Sequence, residues 1–194
     1  MSSEELSKDF TDSEKETLSK VASAGKGVTQ VMHRCEAAKT SGYLDLSSCS
    51  LMYIADAIYL VLKGYMIDKV SLQDNDLQKF PIKMVTKFPQ LYFINVRKNK
   101  IKEIPDELNK WEKVKAANFA SNKLTVFPEA IYSWSNLAIL DISENEIDTL
   151  DVIRLFTACK KLTILNIKNT LISDNIINSI KNYPGKVSNF KLEC

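Results

Sequence analysis

The sequence predicts an α/β solenoid, with a curved parallel β-sheet on the concave side, helices and loops on the convex side, and a helical cap at the N-terminal end. Three observations predict this fold. A pattern of aliphatic residues recurs along most of the 194 residues, and the asparagines that end it are 24, 23 and 23 positions apart (Asn75, Asn99, Asn122 and Asn145). A period of this length is typical of stacked repeats. A helical apolar stripe precedes the first repeat, where a solenoid needs its terminal edge covered.

The repeated unit reads L-x-x-L-x-L-x-x-N-x-L in residues 91–101, 114–124 and 137–147. Ala117 and Phe119 occupy two aliphatic positions of the middle unit. The L-x-L portion predicts a short strand, because its aliphatic side chains point to the same face with period two.

Two outer segments, residues 43–51 and 162–172, fit the pattern less closely, and residues 187–192 resemble the start of one more strand. The solenoid is therefore predicted to cover residues 42–194 as six repeats and a partial seventh. Apolar residues at helical spacing also predict helices in residues 54–62, 152–156 and 176–180.

One side chain in each repeat is predicted to hydrogen-bond the backbone of neighbouring turns. Asparagine suits this position because it carries both a donor and an acceptor, while cysteine and threonine can supply a donor. The predicted ladder consists of Cys49, Asn75, Asn99, Asn122, Asn145 and Thr170. Two further columns support the register: prolines six positions later (Pro81, Pro105 and Pro128), and large or buried-type residues eleven positions earlier (Phe88, Trp111, Trp134 and Cys159).

The N-terminal part is predicted to be helical over residues 13–41, after a disordered acidic segment, residues 1–12. Residues 13–16 (Ser-Glu-Lys-Glu) read as a capping box, and residues 25–27 (Gly-Lys-Gly) are expected to interrupt the helix. Beyond them an apolar stripe at helical spacing is expected to cover the first repeat (Val28, Val31, Met32, Cys35 and Ala38). The alternative is that this stripe is an amphipathic surface that binds a partner.

These repeats resemble the intracellular branch of the leucine-rich-repeat superfamily, over residues 43–192. At finer grain the chain is similar to the family of small intracellular proteins called leucine-rich repeat-containing protein 20. That similarity includes the helix before the repeats, the Leu-Asp-Leu-Ser-Ser-Cys opening at residues 44–49 and the long first repeat. The superfamily resemblance implies that a partner protein binds on the concave sheet, and the finer one implies no defined activity.

Composition and charge exclude several functional classes. The net charge of +2 provides no overall attraction to nucleic acid. No apolar run is long enough to span a bilayer, so no membrane association is predicted. The four cysteines do not cluster and the first residues lack a signal-peptide core, so we expect free thiols and a cytoplasmic or nuclear location.

No catalytic motif is recognisable, and we predict that the chain is not an enzyme. His33 is the only histidine, which excludes a multi-histidine metal site and most nucleophile–histidine pairs. The glycine–lysine–glycine segment at residues 25–27 lacks the rest of a phosphate-binding loop. Neither a cofactor nor a metal is therefore expected.

The residues that flank the inward aliphatics should face outward on the concave sheet. One outward column is apolar over four successive repeats, and an apolar strip with a polar border often marks an interaction site. The alternative is that neighbouring side chains shield it. The predicted protein-binding residues are Phe93, Asn95, Arg97, Asn118, Ile139, Asp141 and Ile164.

A second hypothesis is that the chain is an RNA-associated subunit of a ribonucleoprotein. It rests on a basic C-terminal stretch, which would bind phosphates (Arg154, Lys160, Lys161, Lys168, Lys181, Lys186 and Lys191). A solvated convex face explains these residues equally well. Hence we expect an unidentified protein partner rather than nucleic acid. We also expect a monomer, although an open last strand would favour a dimer.

Overall fold

The computed structural model describes the backbone of residues 12–194 and the side chains from residue 27 onward. Its centre is a seven-stranded sheet in which each strand pairs in parallel with the next along the chain. This open sheet with helices on its other side confirms the predicted α/β solenoid. The strands are β1 Tyr43–Asp45, β2 Lys69–Ser71, β3 Phe93–Asn95, β4 Ala116–Asn118, β5 Ile139–Asp141, β6 Ile164–Asn166 and β7 Lys191–Glu193.

The convex side contains true helices in the longer repeats and 3-10 helices in the two shorter central ones. None of the helices in the described part of the chain combines the length and apolar character that spanning a membrane requires. The helices are α1 Asp12–Ser41, α2 Asp56–Val61, α3 Lys83–Lys87, α4 Val152–Ala158 and α5 Asp174–Asn182, with 3-10 helices at Asp106–Lys110 and Glu129–Ser133.

The proline column marks where the convex helices begin. Pro105 and Pro128 immediately precede the two 3-10 helices, with φ of −64° and −67°, the value that the proline ring imposes. Asp151 occupies the equivalent position in the next repeat, and its carboxylate accepts a hydrogen bond from the Arg154 amide at 2.9 Å. An N-cap therefore replaces proline where a true helix, α4, follows.

The residues eleven positions before the ladder positions form hydrogen bonds on the convex side of the core. Trp111 and Trp134 are fully buried, and their indole N–H groups donate to the Phe88 and Leu108 carbonyls at 3.0 Å each. The Cys159 thiol continues the column by donating to the Ile131 carbonyl at 3.5 Å. Burial raises the pKa of Cys159 to about 12, so the thiol stays neutral and keeps its proton.

The ladder asparagines each connect two repeats. Asn99 Nδ2 donates to the Val96 carbonyl of its own turn and to the Leu72 carbonyl of the preceding repeat, both at 2.9 Å. Its Oδ1 accepts from the Leu77 amide of that repeat at 3.0 Å. The same arrangement recurs at Asn75, Asn122 and Asn145.

The two ladder positions without asparagine make fewer bonds. Thr170 donates to the Ile167 carbonyl of its own turn at 2.8 Å, and Cys49 donates to the Ser47 carbonyl at 3.5 Å. Neither has a side-chain bond to another repeat among the described residues. The repeat of Thr170 therefore lacks the ladder bonds to its preceding neighbour, whereas the first repeat is still bonded by Asn75.

The residue before each ladder position adopts a left-handed backbone conformation. These residues have φ between 53° and 58° and none is glycine (Ser48, Asp74, Lys98, Ser121, Glu144 and Asn169). Left-handed φ costs most L-residues about 1–2 kcal/mol, and asparagine tolerates it best. Each repeat thus contains one strained residue of this kind.

Lys98 offers a test of this strain, because its side chain is exposed. We expect Lys98→Asn to raise the free energy of unfolding by about 0.5–1 kcal/mol, and Lys98→Val to lower it by about 1–2 kcal/mol. Urea denaturation measures both changes. Equal midpoints for the two variants would contradict a conformational origin.

The helix α1 packs on β1 and forms the predicted cap, but it differs from expectation in two ways. The backbone stays helical through residues 25–27 instead of breaking there, because glycine weakens a helix without forbidding its geometry. In the apolar stripe Cys35 and Ala38 are buried, whereas Val28 and Met32 are 65% and 39% exposed. Among the described side chains of α1, those of its last turns therefore cover the first repeat.

Most of the segment that the sequence predicts to be disordered, residues 1–12, lies outside the described residues, which begin at residue 12. Asp12 itself is the first residue of α1.

Arg34 of α1 covers the open edge of the sheet. Its Nη1 donates to the Asp45 carbonyl at 3.1 Å and to the Ser47 carbonyl at 2.6 Å. A first strand has carbonyls with no neighbouring strand to bond them. A single guanidinium supplies donors for two of these carbonyls.

We expect Arg34→Met, which keeps the length of the side chain and removes its donors, to lower the free energy of unfolding by about 2 kcal/mol. Thermal unfolding measures this loss, and Arg34→Lys should recover part of it. A loss below about 0.5 kcal/mol, the ordinary effect of a surface change, would show that the two bonds do not stabilise the cap.

Candidate functional site

The strand register brings the predicted apolar column together on the concave face. Cα pairing aligns Phe93, Ala116, Ile139 and Ile164 across β3 to β6, and we call these four residues the apolar strip. Ile139 is 42% exposed, while the other three are half-buried. The Tyr43 ring lies edge-on to Phe93, with ring centroids 6.5 Å apart. Shielding by neighbours is thus partial, and the centre of the strip is open.

Three predicted binding residues lie in the adjacent outward column, and their side chains form hydrogen bonds with the backbone. The Oδ1 atoms of Asn95, Asn118 and Asp141 accept the amide N–H two residues further on, at 3.0, 2.9 and 3.0 Å. This is an Asx turn, which asparagine and aspartate readily form. Similar bonds end β1, β2 and β6 (Asp45 to Ser47, Ser71 to Gln73 and Asn166 to Lys168).

The remaining polar atoms of these three residues bond to one another or to neighbouring side chains on the concave face. Asn95 Nδ2 donates to Gln73 Oε1 at 3.0 Å, and Asn118 Nδ2 donates to Asp141 Oδ2 at 3.4 Å. The Ser143 hydroxyl also donates to Asp141 Oδ1 at 2.6 Å. The column therefore presents a polar surface whose hydrogen bonds are largely internal, which sequence reasoning did not identify.

Arg97 crosses a neighbouring repeat on the concave face. Its Nη2 lies 3.9 Å from Glu144 Oε1, two strands away, and the small buried side chain of Ala120 stands between them in the register. Arg97 Nε is buried and has no hydrogen-bond partner among the described residues. The guanidinium is held across the sheet with its end open to solvent.

The border on the side where the strands begin carries unpaired positive charge. We define this strand-start rim as residues 89–92, 112–115, 135–138 and 160–163, which contain four lysines and one carboxylate, Glu112. Lys113 bonds Gln90 Oε1, Lys115 Nζ lies 5.7 Å from the centroid of the Tyr92 ring, and Lys161 Nζ bonds Asn136 Oδ1 at 2.7 Å.

These partners are all neutral, unlike those of several other basic residues. Lys83, Lys100 and Arg154 form ion pairs of 2.6–2.7 Å with Asp56, Asp76 and Glu129. The rim was missed in the sequence because its two pairs of lysines are about two repeats apart in the chain and lie on one border only when the repeats stack.

The basic C-terminal stretch is divided among several parts of the surface. Arg154 pairs with Glu129 on the convex side, and Lys161 lies on the strand-start rim. Lys168 and Lys191 approach Glu193 at 3.7 and 2.7 Å, and Lys191 lowers the pKa of that carboxyl. The Lys186 ammonium donates to the Ile180 carbonyl in the last turn of α5 and to the Tyr183 carbonyl just after it. The stretch does not form a single basic face.

The convex side carries a groove that the sequence did not predict. It has a volume of about 830 Å³ and is lined by apolar and charged side chains of the first two repeats, including Tyr53, Ile54, Phe80 and Ile82. In the described part of the chain no three histidine, cysteine or carboxylate groups cluster as metal ligands would. Cys35, Cys49, Cys159 and Cys194 are free thiols.

Three comparisons with known proteins were informative to different degrees, and only the solved structures share this architecture. No family model and no curated protein matches the sequence. Among solved structures, the leucine-rich-repeat protein LIC12759 of Leptospira interrogans is 22% identical, with a TM-score of 0.60 over 75% of this chain and 35% of that one. The leucine-rich repeat domain of APL1B is 15% identical, with a TM-score of 0.59 over 77% and 41%.

TLR13, solved in a complex with ssRNA13, is 19% identical, with a TM-score of 0.62 over 78% of this chain and 21% of that one. This chain therefore spans from about a fifth to about two fifths of the length of the three structures. At these identities the likeness concerns the fold alone. The chain has the leucine-rich-repeat fold, with the apolar strip on its concave sheet.

Proposed function

We propose that this chain is a non-catalytic protein-interaction module that binds a partner protein on its concave sheet. The observation that carries the proposal is the apolar strip, four aligned apolar residues on four successive strands, with Ile139 exposed at its centre. Contiguous apolar surface with a polar border is typical of protein-binding sites.

The predicted site residues contribute in two ways. Phe93, Ile139 and Ile164 supply the apolar contact area, and Arg97 supplies a charged group beside it. Asn95, Asn118 and Asp141 hold the ends of β3, β4 and β5 through their Asx turns. We propose that these three residues shape the surface and contact the partner mainly through their remaining polar atoms.

Ile139→Glu tests the proposal. A carboxylate in the centre of an apolar contact is costly to desolvate, so capture of partner proteins from lysate should fall at least about tenfold. The fold should persist, because Ile139 is already 42% exposed. Quantitative mass spectrometry of captured proteins, with circular dichroism of the variant, measures both.

Val126→Glu is the matched control, because Val126 is 67% exposed and lies outside the strands. It should leave capture unchanged. If Ile139→Glu also retains every captured protein, the apolar strip is not the binding site.

The finer features of the protein are proposals of the same kind. We propose a monomeric cytoplasmic or nuclear scaffold, with residues 13–41 as cap and 42–194 as repeat domain. The resemblance to leucine-rich repeat-containing protein 20 is supported by the opening at residues 44–49 and the long first repeat. No contact of the described basic residues favours the alternative, association with RNA.

A further inference from the structure

We propose that the segment bound on the concave sheet is an acidic amphipathic helix of the partner protein, lying along the apolar strip with its carboxylates toward the strand-start rim. This inference rests on the proposed function and adds the chemistry of the partner. It derives from the different partners that the basic residues have on the two borders of the strip.

The strand-start rim has one carboxylate, Glu112, against four lysines. Lys113, Lys115 and Lys161 contact only a glutamine, an aromatic ring and an asparagine, and no salt bridge involves them in the part of the chain that the structure describes. Their ammonium groups are exposed beside the strip. They are available to pair with a partner's acidic groups at little cost in lost internal contacts.

On the opposite border three basic residues already have carboxylate partners. Arg97 lies 3.9 Å from Glu144, Lys100 pairs with Asp76 at 2.6 Å, and Lys168 lies 3.7 Å from Glu193. Unlike these three cations, Lys113, Lys115 and Lys161 have only neutral partners, so a partner's carboxylates can bind them without competing with internal ion pairs. A ligand with one acidic side and one apolar side would meet both surfaces in a single orientation.

The spacing of the groups fits a helix. Neighbouring strands are about 4.8 Å apart, so the apolar strip extends about 14 Å, and Lys113 and Lys161 are about 10 Å apart along the stack. A helix rises about 1.5 Å per residue, so apolar residues at i, i+4, i+7 and i+11 cover about 16 Å and acids seven residues apart are about 10 Å apart.

The apolar strip distinguishes this ligand from single-stranded RNA. An RNA groove combines positive charge with aromatic rings on which bases stack. Here Ala116, Ile139 and Ile164 are aliphatic, and Phe93 is packed against Tyr43. Aliphatic surface beside lysines favours a peptide with apolar and acidic groups.

A displayed peptide library tests the inference on the full chain. The peptides have apolar residues at i, i+4, i+7 and i+11, and every other position is randomised over acidic, basic and neutral residues. Selection on the wild-type chain should enrich aspartate and glutamate on one side of the apolar row. Fluorescence anisotropy then measures affinity at low and high salt.

Three variants are compared: Ile139→Glu, a rim variant (Lys113→Glu, Lys115→Glu and Lys161→Glu) and a matched control (Lys102→Glu, Lys123→Glu and Lys181→Glu). The control makes the same change in net charge at exposed lysines outside the rim. The rim variant should weaken binding of the selected peptides at least about tenfold, and the control by less than about twofold.

The outcomes separate the two proposals. Selected peptides that need Ile139 but are neutral or basic, and ignore the rim variant, would overturn the acidic helix and leave the proposed function intact. If no peptide depends on Ile139, both proposals fail. If oligouridine binds the rim more tightly than the selected peptides do, the ligand is a nucleic acid and the inference is wrong.

Discussion

Trp111→Ala is expected to lower the free energy of unfolding by about 3–5 kcal/mol, the largest effect of any substitution considered. The indole is fully buried between consecutive repeats. The Phe80 ring packs against it edge-on, with centroids 6.0 Å apart. Its removal leaves a cavity and also removes the donor to the Phe88 carbonyl. The Phe88 carbonyl then keeps only the longer bond from the Leu91 amide, at 3.3 Å, so the lost hydrogen bond adds to the cost of the cavity.

Urea denaturation measures this loss. The slope of the unfolding free energy against urea concentration should stay unchanged if the denatured state is unaffected. Trp111→Phe separates the two contributions, because it keeps most of the ring and removes the N–H. We expect Trp111→Phe to cost about 1–2 kcal/mol. Equal costs for the two variants would mean that ring volume contributes nothing.

Asn99→Ala should lower the free energy of unfolding by about 3–4 kcal/mol. The substitution leaves the Leu77 amide of the preceding repeat without its side-chain partner, and the Leu72 carbonyl keeps only its bond from Asn75. It also removes the bond to the Val96 carbonyl within the turn. Buried polar groups without partners retain the full cost of desolvation.

A graded series makes this prediction specific. Asn99→Thr should cost about half as much, because threonine bonds its own turn at position 170. Asn136→Ala removes an asparagine whose bond to the Glu112 carbonyl is exposed, and it should cost about 0.5 kcal/mol or less. Chemical denaturation of the three variants gives the order. If Asn136→Ala were as harmful as Asn99→Ala, the ladder would have no special role.

The sequence predicted the repeats and their register because these depend on local periodicity. The positions of Asn75, Asn99, Asn122 and Asn145 define the stacking, and the aliphatic alternation defines which side chains face inward. The strand pairing of Phe93, Ala116, Ile139 and Ile164 follows directly from that alignment.

Features that depend on contacts between distant residues were not predictable in this way. Arg34 lies 11 and 13 positions from the carbonyls it bonds, and no periodic pattern includes it. The continuity of α1 through residues 25–27 was missed because glycine was treated as a break rather than as a weakening. The internal bonds of Asn95 and Asp141 could have been anticipated, since Asx turns follow from residue type and position.

The two ends of the described stack differ, so local unfolding is expected to begin at one end rather than the other. At one end α1 and Arg34 close the edge of β1. At the other, no strand in the described part of the chain pairs with the outer edge of β7, and Thr170 makes no side-chain bond to the repeat before it. In a one-dimensional stack a terminal unit is held by a single interface. Because Thr170 makes no bond between repeats, opening within the described residues costs least near β7, so backbone amides near Leu192 exchange with solvent sooner than those near Leu44.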